Sequence, residues 1–263
     1  MKTIPDFQKR RAAGKPITMV TCYDAATAKI INESNIDSIL VGDSCAMVVH
    51  GFDSTVHATV DMIATHTAAV RRGAPKKVII SDLPFLSYRK ERDSVIESVK
   101  TLMRAGANAV KLERSKGNLD LIRDLVEAGV PVMGHLGLTP QSVNEFGGFK
   151  MQAKTDASAA ELIVEAKQLE AAGCFSIVLE CVPAKVARRC TEELNIPTIG
   201  IGCGPDTSGQ VLVINDLLGM DATFMPRFAR KYVDLSKLIG GAIESYCETV
   251  TDGSFPGKGE FTK

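Results

Sequence analysis

Four stretches of the sequence share one pattern, a short aliphatic run that ends in an acid. They are Ile39-Leu40-Val41-Gly42-Asp43, Val78-Ile79-Ile80-Ser81-Asp82, Val110-Lys111-Leu112-Glu113 and Ile177-Val178-Leu179-Glu180. A continuous apolar run of this length, rich in β-branched side chains, marks a strand buried on both faces, as in a parallel sheet. The segments between such runs place apolar residues at helical spacing. Gly73-Ala74, Gly106-Ala107, Gly129-Val130 and Gly173-Cys174 each end a helix shortly before the next strand. If the strands lie side by side, the four acids leave the core at one edge and meet on one rim.

Read in order, strands are expected over 17–24, 38–43, 77–82, 109–113, 130–134, 176–180, 197–202 and 222–225. Helices are expected over 25–34, 59–72, 93–105, 118–128, 158–172, 183–194, 210–218 and 234–251. A short polar helix or arm covers 3–13, a long connection with Pro140, Gly147 and Gly148 covers 138–155, and the tail after Gly253 reads as loose. Ser158 with Glu161 reads as a capping box, and Asp93 as a helix cap. Eight strand–helix units in 263 residues suit a (β/α)8 TIM barrel, which takes roughly 250, in one domain over 1–263. No Gly-x-Gly-x-x-Gly follows the first strand, which weighs against an open dinucleotide-binding sheet.

Lys plus Arg and Asp plus Glu both number 31, so no global field draws the chain to nucleic acid or an anionic membrane. The first 15 residues lack the apolar core of a secretory signal, and no apolar run approaches the ~20 residues of a membrane span. The seven cysteines are odd in number and form no Cys-x-x-Cys pair, so buried reduced thiols are expected rather than a disulfide framework. The expected location is cytoplasmic.

Catalytic groups of this fold sit at the C-terminal ends of the strands, where Asp43, Asp82, Glu113 and Glu180 fall. Singly, each reads as a helix cap or a solvated loop residue. Four in register repel one another unless a cation joins them. Carboxylates without a Cys or His cluster suit a hard ion, Mg2+ in particular. Lys111 lies two residues before Glu113, on the same strand face. It either neutralises the acids or grips a substrate carboxylate or enolate oxygen; a Schiff-base role is a third reading. His135 ends the fifth strand as a structural hydrogen-bonder or a site residue. Ser44 follows Asp43 and can meet the same ligand. His50, His57 and His66 have no ligand spacing and read as structural. Gly202-Cys203-Gly204 could line a phosphate site, but so short a cue reads more readily as a tight turn.

From Thr21-Cys22-Tyr23-Asp24 to Tyr246 the chain resembles the ketopantoate hydroxymethyltransferases. The most specific segments are Val41-Gly42-Asp43-Ser44, residues 66–74, Asp82-Leu83-Pro84-Phe85, residues 134–142, Leu179-Glu180-Cys181-Val182-Pro183 and Gly200-Ile201-Gly202. The resemblance implies a barrel of the phosphoenolpyruvate/pyruvate type, assembled as a homodecamer. It implies transfer of a hydroxymethyl group from 5,10-methylenetetrahydrofolate to 3-methyl-2-oxobutanoate through an Mg2+-stabilised enolate, giving 2-dehydropantoate for pantothenate. By the same resemblance, Asp43, Asp82 and Glu113 hold Mg2+. Asp43, Ser44, Asp82 and Lys111 contact the keto acid, His135 lies close to it, and Glu180 accepts the proton. Cys45-Ala46 and Cys203 depart from the family pattern without removing any of these groups. Two other readings compete. One is an Mg2+-dependent carbon–carbon lyase of the isocitrate lyase or phosphoenolpyruvate mutase type, which tends to carry a loop cysteine among basic residues. The other is a binding module that has lost catalysis. No motif marks where the folate sits.

Overall fold

The strand segments are buried along nearly their whole length, because helices cover them outside and other strands' side chains fill the space inside. The computed structural model describes residues 2–262. The chain divides into two compact units, Met1–Val213 and Ile214–Lys263. In the first, eight parallel strands close into a barrel in sequence order. They are β1 (Ile17–Thr21), β2 (Ser38–Val41), β3 (Val78–Asp82), β4 (Ala109–Glu113), β5 (Val132–Gly137), β6 (Ser176–Glu180), β7 (Thr198–Ile201) and β8 (Gly209–Leu212). Helix α1 (Pro5–Ala12) precedes β1. Helix α2 (Ala25–Glu33) follows β1, α3 (Cys45–Val48) and α4 (Val60–Gly73) follow β2, α5 (Arg92–Ala105) follows β3, α6 (Leu119–Glu127) follows β4, α7 (Val143–Phe146) and α8 (Asp156–Ala171) follow β5, and α9 (Ala184–Glu193) follows β6. The second unit holds α10 (Ile214–Leu218) and α11 (Leu235–Thr251).

Strand periodicity positions the site. Side chains two apart share a face, so the residues that pack the barrel's interior dictate which ones follow them toward the rim. Ile80 packs in the interior cluster and Asp82 lines the cavity above it. The same step leads from Ala109 to Lys111 and Glu113, from Met133 to His135 and from Val178 to Glu180. Phe7 of α1 joins this interior cluster, 1 % exposed, with Phe175 edge-on to it at 5.1 Å.

Five local expectations are corrected. The eighth strand is Gly209–Leu212, not 222–225, and the helix expected over 210–218 shrinks to α10. The Val211–Ile214 run is too short for its period to separate strand from helix, and barrel closure decides the matter. Closure also needs Gly209, where a Cβ would lie 2.3 Å from the Ile17 carbonyl oxygen of β1. Residues 222–225 instead follow Asp221, whose Oδ1 accepts from the Thr223 and Phe224 amides and so makes a turn. Next, β5 starts at Val132, because the Val130 amide still closes α6 on Leu125 O and Pro131 has no N–H to give. It runs on to Gly137, which puts His135 within the strand. Third, the capping box of α8 is Thr155 with Ser158, one turn earlier than expected. Fourth, Asp93 lies in the first turn of α5, and the N-cap is Glu91, without a side-chain cap bond. Strand β1 stops at Thr21, since Asp24 turns to cap α2 by accepting from the Thr27 amide at 2.8 Å.

Candidate active site

Asp43, Asp82, Lys111, Glu113, His135 and Glu180 all line one cavity of about 60 Å3 at the C-terminal rim of the barrel. The first five are buried, and the Glu180 side chain is 16 % exposed. Lys111 Nζ lies 2.9 Å from Asp82 Oδ1 and 3.4 Å from His135 Nδ1. His135 stands between two acids, with Nδ1 3.3 Å from Glu113 Oε1 and Nε2 3.2 Å from Glu180 Oε2. Asp82 Oδ2 accepts from the Asp43 amide at 3.0 Å. Ser44 is half-buried at the start of α3, shares a 2.8 Å hydrogen bond with the Tyr23 hydroxyl, and does not line the cavity.

The electrostatics follow from burial and crowding. Burial pushes the Asp43 carboxyl well above its usual range, and the Asp82 and Glu113 charges push it further. Burial opposes the Lys111 ammonium, but Asp82, Asp43 and Glu113 outweigh it and hold the charge on. For His135, burial and Lys111 both act downward. Hydrogen bonding to Glu113 and Glu180 wins and raises it from 6.5 to about 9.

Three oxygen-donor side chains fit a hard divalent ion. Asp82 Oδ1 and Glu113 Oε1 are buried and accept no hydrogen bond beyond the charge contacts above. Among the described residues, no three His, Cys, Asp or Glu groups already surround a single metal point. Asp82 is turned to Lys111 and Glu113 to His135, so these two cations balance the acids in this arrangement.

The backbone turns sharply after two of the acids. Arg114 (φ 66°) and Cys181 (φ 47°) are left-handed without being glycine, a conformation that costs an L-residue about 1–2 kcal/mol. Each turn is tied to the next strand, Arg114 N to His135 O and Cys181 N to Ile201 O, both at 2.9 Å. Asn118 Nδ2 adds hydrogen bonds to the Glu113 and Arg114 carbonyls. The remaining histidines lie apart from the cavity: His50 pairs with His66 at 2.9 Å, His66 Nδ1 meets the Tyr23 carbonyl, and His57 meets Asp53.

A family profile described as Ketopantoate hydroxymethyltransferase matches residues 1–258. The chain belongs to this family. It is 52 % identical to 3-methyl-2-oxobutanoate hydroxymethyltransferase of Francisella tularensis subsp. novicida, over 98 % of this chain and 97 % of that protein. It is 51 % identical to the enzyme of that name from Bdellovibrio bacteriovorus, over 99 % of both. Among solved structures, phosphonopyruvate hydrolase in complex with oxalate and Mg2+ shares the fold. The TM-score is 0.64 at 11 % identity, covering 100 % of this chain and 92 % of that one.

Ketopantoate hydroxymethyltransferase segments were legible in the sequence, but one buried member of the site was not singled out. Gln141 Nε2 donates to Asp43 Oδ2 (2.7 Å) and Leu83 O (3.0 Å), and its amide donates to Glu113 Oε2 (3.2 Å). Tyr88 donates to Gln141 Oε1 at 2.7 Å. Gln141 lies within the 134–142 segment that carries the resemblance, and that was its one available signal.

Proposed function

We propose that this chain transfers a hydroxymethyl group from 5,10-methylenetetrahydrofolate to 3-methyl-2-oxobutanoate, forming 2-dehydropantoate for pantothenate synthesis in the cytoplasm. The observation that carries the reading is the convergence of three buried carboxylates, Lys111, His135 and Glu180 on one cavity. Family membership supplies the reaction class.

In this reading Asp43, Asp82 and Glu113 hold Mg2+, which when bound draws charge from the keto oxygen and makes the C3 proton acidic. The fold neighbour solved with Mg2+ and oxalate lends support to the choice of ion. Glu180 is the least buried carboxylate of the cavity, at the mouth, and takes the C3 proton. His135 Nε2 lies 3.2 Å from Glu180 Oε2 and orients that carboxylate. The Lys111 ammonium offsets the negative charge that grows on the keto oxygen, aided by the low local dielectric. Gln141 orients Asp43, and Ser44, bonded to the Tyr23 hydroxyl outside the cavity, would contact the keto acid only by turning away from that partner. One of the two C–N bonds of the folate's methylene bridge breaks to leave an iminium, C3 bonds to its carbon, and water then replaces the second nitrogen, releasing tetrahydrofolate and the hydroxymethylated acid.

We also propose self-association, up to the family's homodecamer. Support comes from α11, which has no buried residue and exposes Ile239, Ile243, Tyr246 and Val250 along one face.

The test is to incubate the protein with 3-methyl-2-oxobutanoate, methylenetetrahydrofolate and Mg2+ and measure 2-dehydropantoate. Product is expected, and chelation of Mg2+ should abolish it. A chain that forms none but cleaves a substituted malate belongs to the competing lyase reading.

A further inference from the structure

A second cavity of about 300 Å3 is lined by Arg89, Arg114, Lys116, Gly117 and Glu145. Its cations come from the loops after β3 and β4, and Glu145 from α7 after β5. These are the strands that carry Asp82, Glu113 and His135, so both cavities belong to the same end of the barrel. Arg114 directly follows Glu113, and Arg89 directly follows Tyr88, which is bonded to Gln141.

Three cations face one carboxylate here. Arg114 Nη1 pairs with Glu145 at 2.6 Å. Arg89 commits Nη2 to the Lys116 carbonyl at 2.7 Å. Among the described residues the Lys116 ammonium has no carboxylate within ion-pairing reach. Both guanidinium groups are braced on rings, Arg89 at 5.9 Å from the Tyr88 centroid and Arg114 at 6.0 Å from that of Phe146. Gly117 (φ 73°) lets Arg89 lie against the backbone, since a Cβ there would come within 2.3 Å of Nη1. Two braced forks beside an unpaired ammonium suit carboxylate oxygens.

The proposed reaction brings in two carboxylic acids. The keto acid's carboxylate belongs in the buried cavity with the reacting carbon. The folate carries its carboxylates on a glutamate tail, separated from its methylene group by an aminobenzoyl ring. The cavity ringed by Asp43, Asp82, Lys111, Glu113 and Glu180 is polar and suits the small keto acid, which leaves the folate's aromatic ring and tail to extend toward the rim. Phe85, Leu86 and Phe149 are exposed there, on the loops after β3 and β5. We infer that the rim cavity binds the glutamate tail of the folate co-substrate through Arg89, Arg114 and Lys116. This inference rests on the proposed function.

The test compares methylenetetrahydrofolate bearing one or three glutamates with the parent chain, Lys116→Glu and Arg89→Ala. Lys116 is exposed and unpaired, so its substitution leaves folding intact. In Lys116→Glu the KM for the folate is expected to rise about tenfold, more for the triglutamate, as befits the loss of a charge-assisted contact. The KM for the keto acid should stay within about twofold. Product formation with an unchanged folate KM in both variants would overturn the inference. Inorganic phosphate should compete with the folate; phosphate inhibition that leaves the folate KM unaltered would instead mark a separate anion site and also overturn it. If the parent makes no product, the function reading fails by itself. Calorimetry of tetrahydrofolate triglutamate on parent and Lys116→Glu then decides the tail site: weaker binding in the variant supports it, and equal binding overturns it.

Discussion

His135 stands between Glu113 on one ring nitrogen and Glu180 on the other, so the carboxylate at the mouth has a fixed ring beside it and need not find its own orientation. Replacing Glu180 by Gln keeps the shape and an oxygen for His135 but removes the base. Exchange of the keto acid's C3 proton into deuterated water is expected to fall by at least ~10²-fold, while calorimetry still detects the keto acid binding. Undiminished exchange would take the base role away from Glu180. A second residue bears on stability alone. Burial, with help from Asp221, raises Asp216 from 3.8 to about 6. Between those pH values the folded chain keeps a proton that the unfolded chain has lost. Stability therefore falls as pH rises through the window, and the deficit is complete above pH 6. Asp216→Asn should be the more stable protein at neutral pH, by roughly 1 kcal/mol once screening by solvent is allowed for. In urea melts that gain should vanish below pH 3.8.

At the scale of elements, the seam between β5 and β6 sets the distance from His135 to Glu180. Gly137 closes β5 at φ 92°, and a Cβ there would lie 2.2 Å from the Glu180 carbonyl oxygen. Both the dihedral and the contact demand glycine. Gly137→Ala is expected to destabilise the chain by at least ~2 kcal/mol in urea unfolding. It should also lower kcat, because the β6 end must shift to make room. A variant with unchanged stability and rate would show that the seam tolerates more than its geometry implies. The left-handed turns at Arg114 and Cys181 belong to the same design: each ends a strand abruptly, so that the acid before it stays at the rim.

For the whole molecule, the apolar face of α11 matters most. A helix with Ile239, Ile243, Tyr246 and Val250 all exposed along one face has more to gain from a partner than from water. Ile243→Asp is expected to shift light-scattering mass toward smaller species, with the barrel's far-UV circular dichroism retained. A parent chain that is monomeric at micromolar concentration would overturn the assembly reading. At the opposite end of the scale of contact, α1 sends Phe7 into the barrel interior among side chains from most of the strands. That contact makes the barrel's packing depend on a helix that precedes every strand.

The sequence by itself determined the strands that carry the chemistry. Their apolar runs can only be buried, and their period of two puts Lys111 with Glu113 on one face whatever the partners. The acids at Asp43, Asp82, Glu113 and Glu180 were legible because a charge ending a buried run has to emerge at the sheet's edge. Tertiary structure alone decided the rest. The last strand formed at Gly209–Leu212 because closure against β1 satisfies backbone groups that a helix there would leave unpaired. Gln141 entered the site from an irregular connection whose local pattern points nowhere. The cationic rim cavity gathers Arg89, Arg114 and Lys116 from separate loops. Local periodicity reports what a segment must bury; which distant segment buries it depends on how the chain closes.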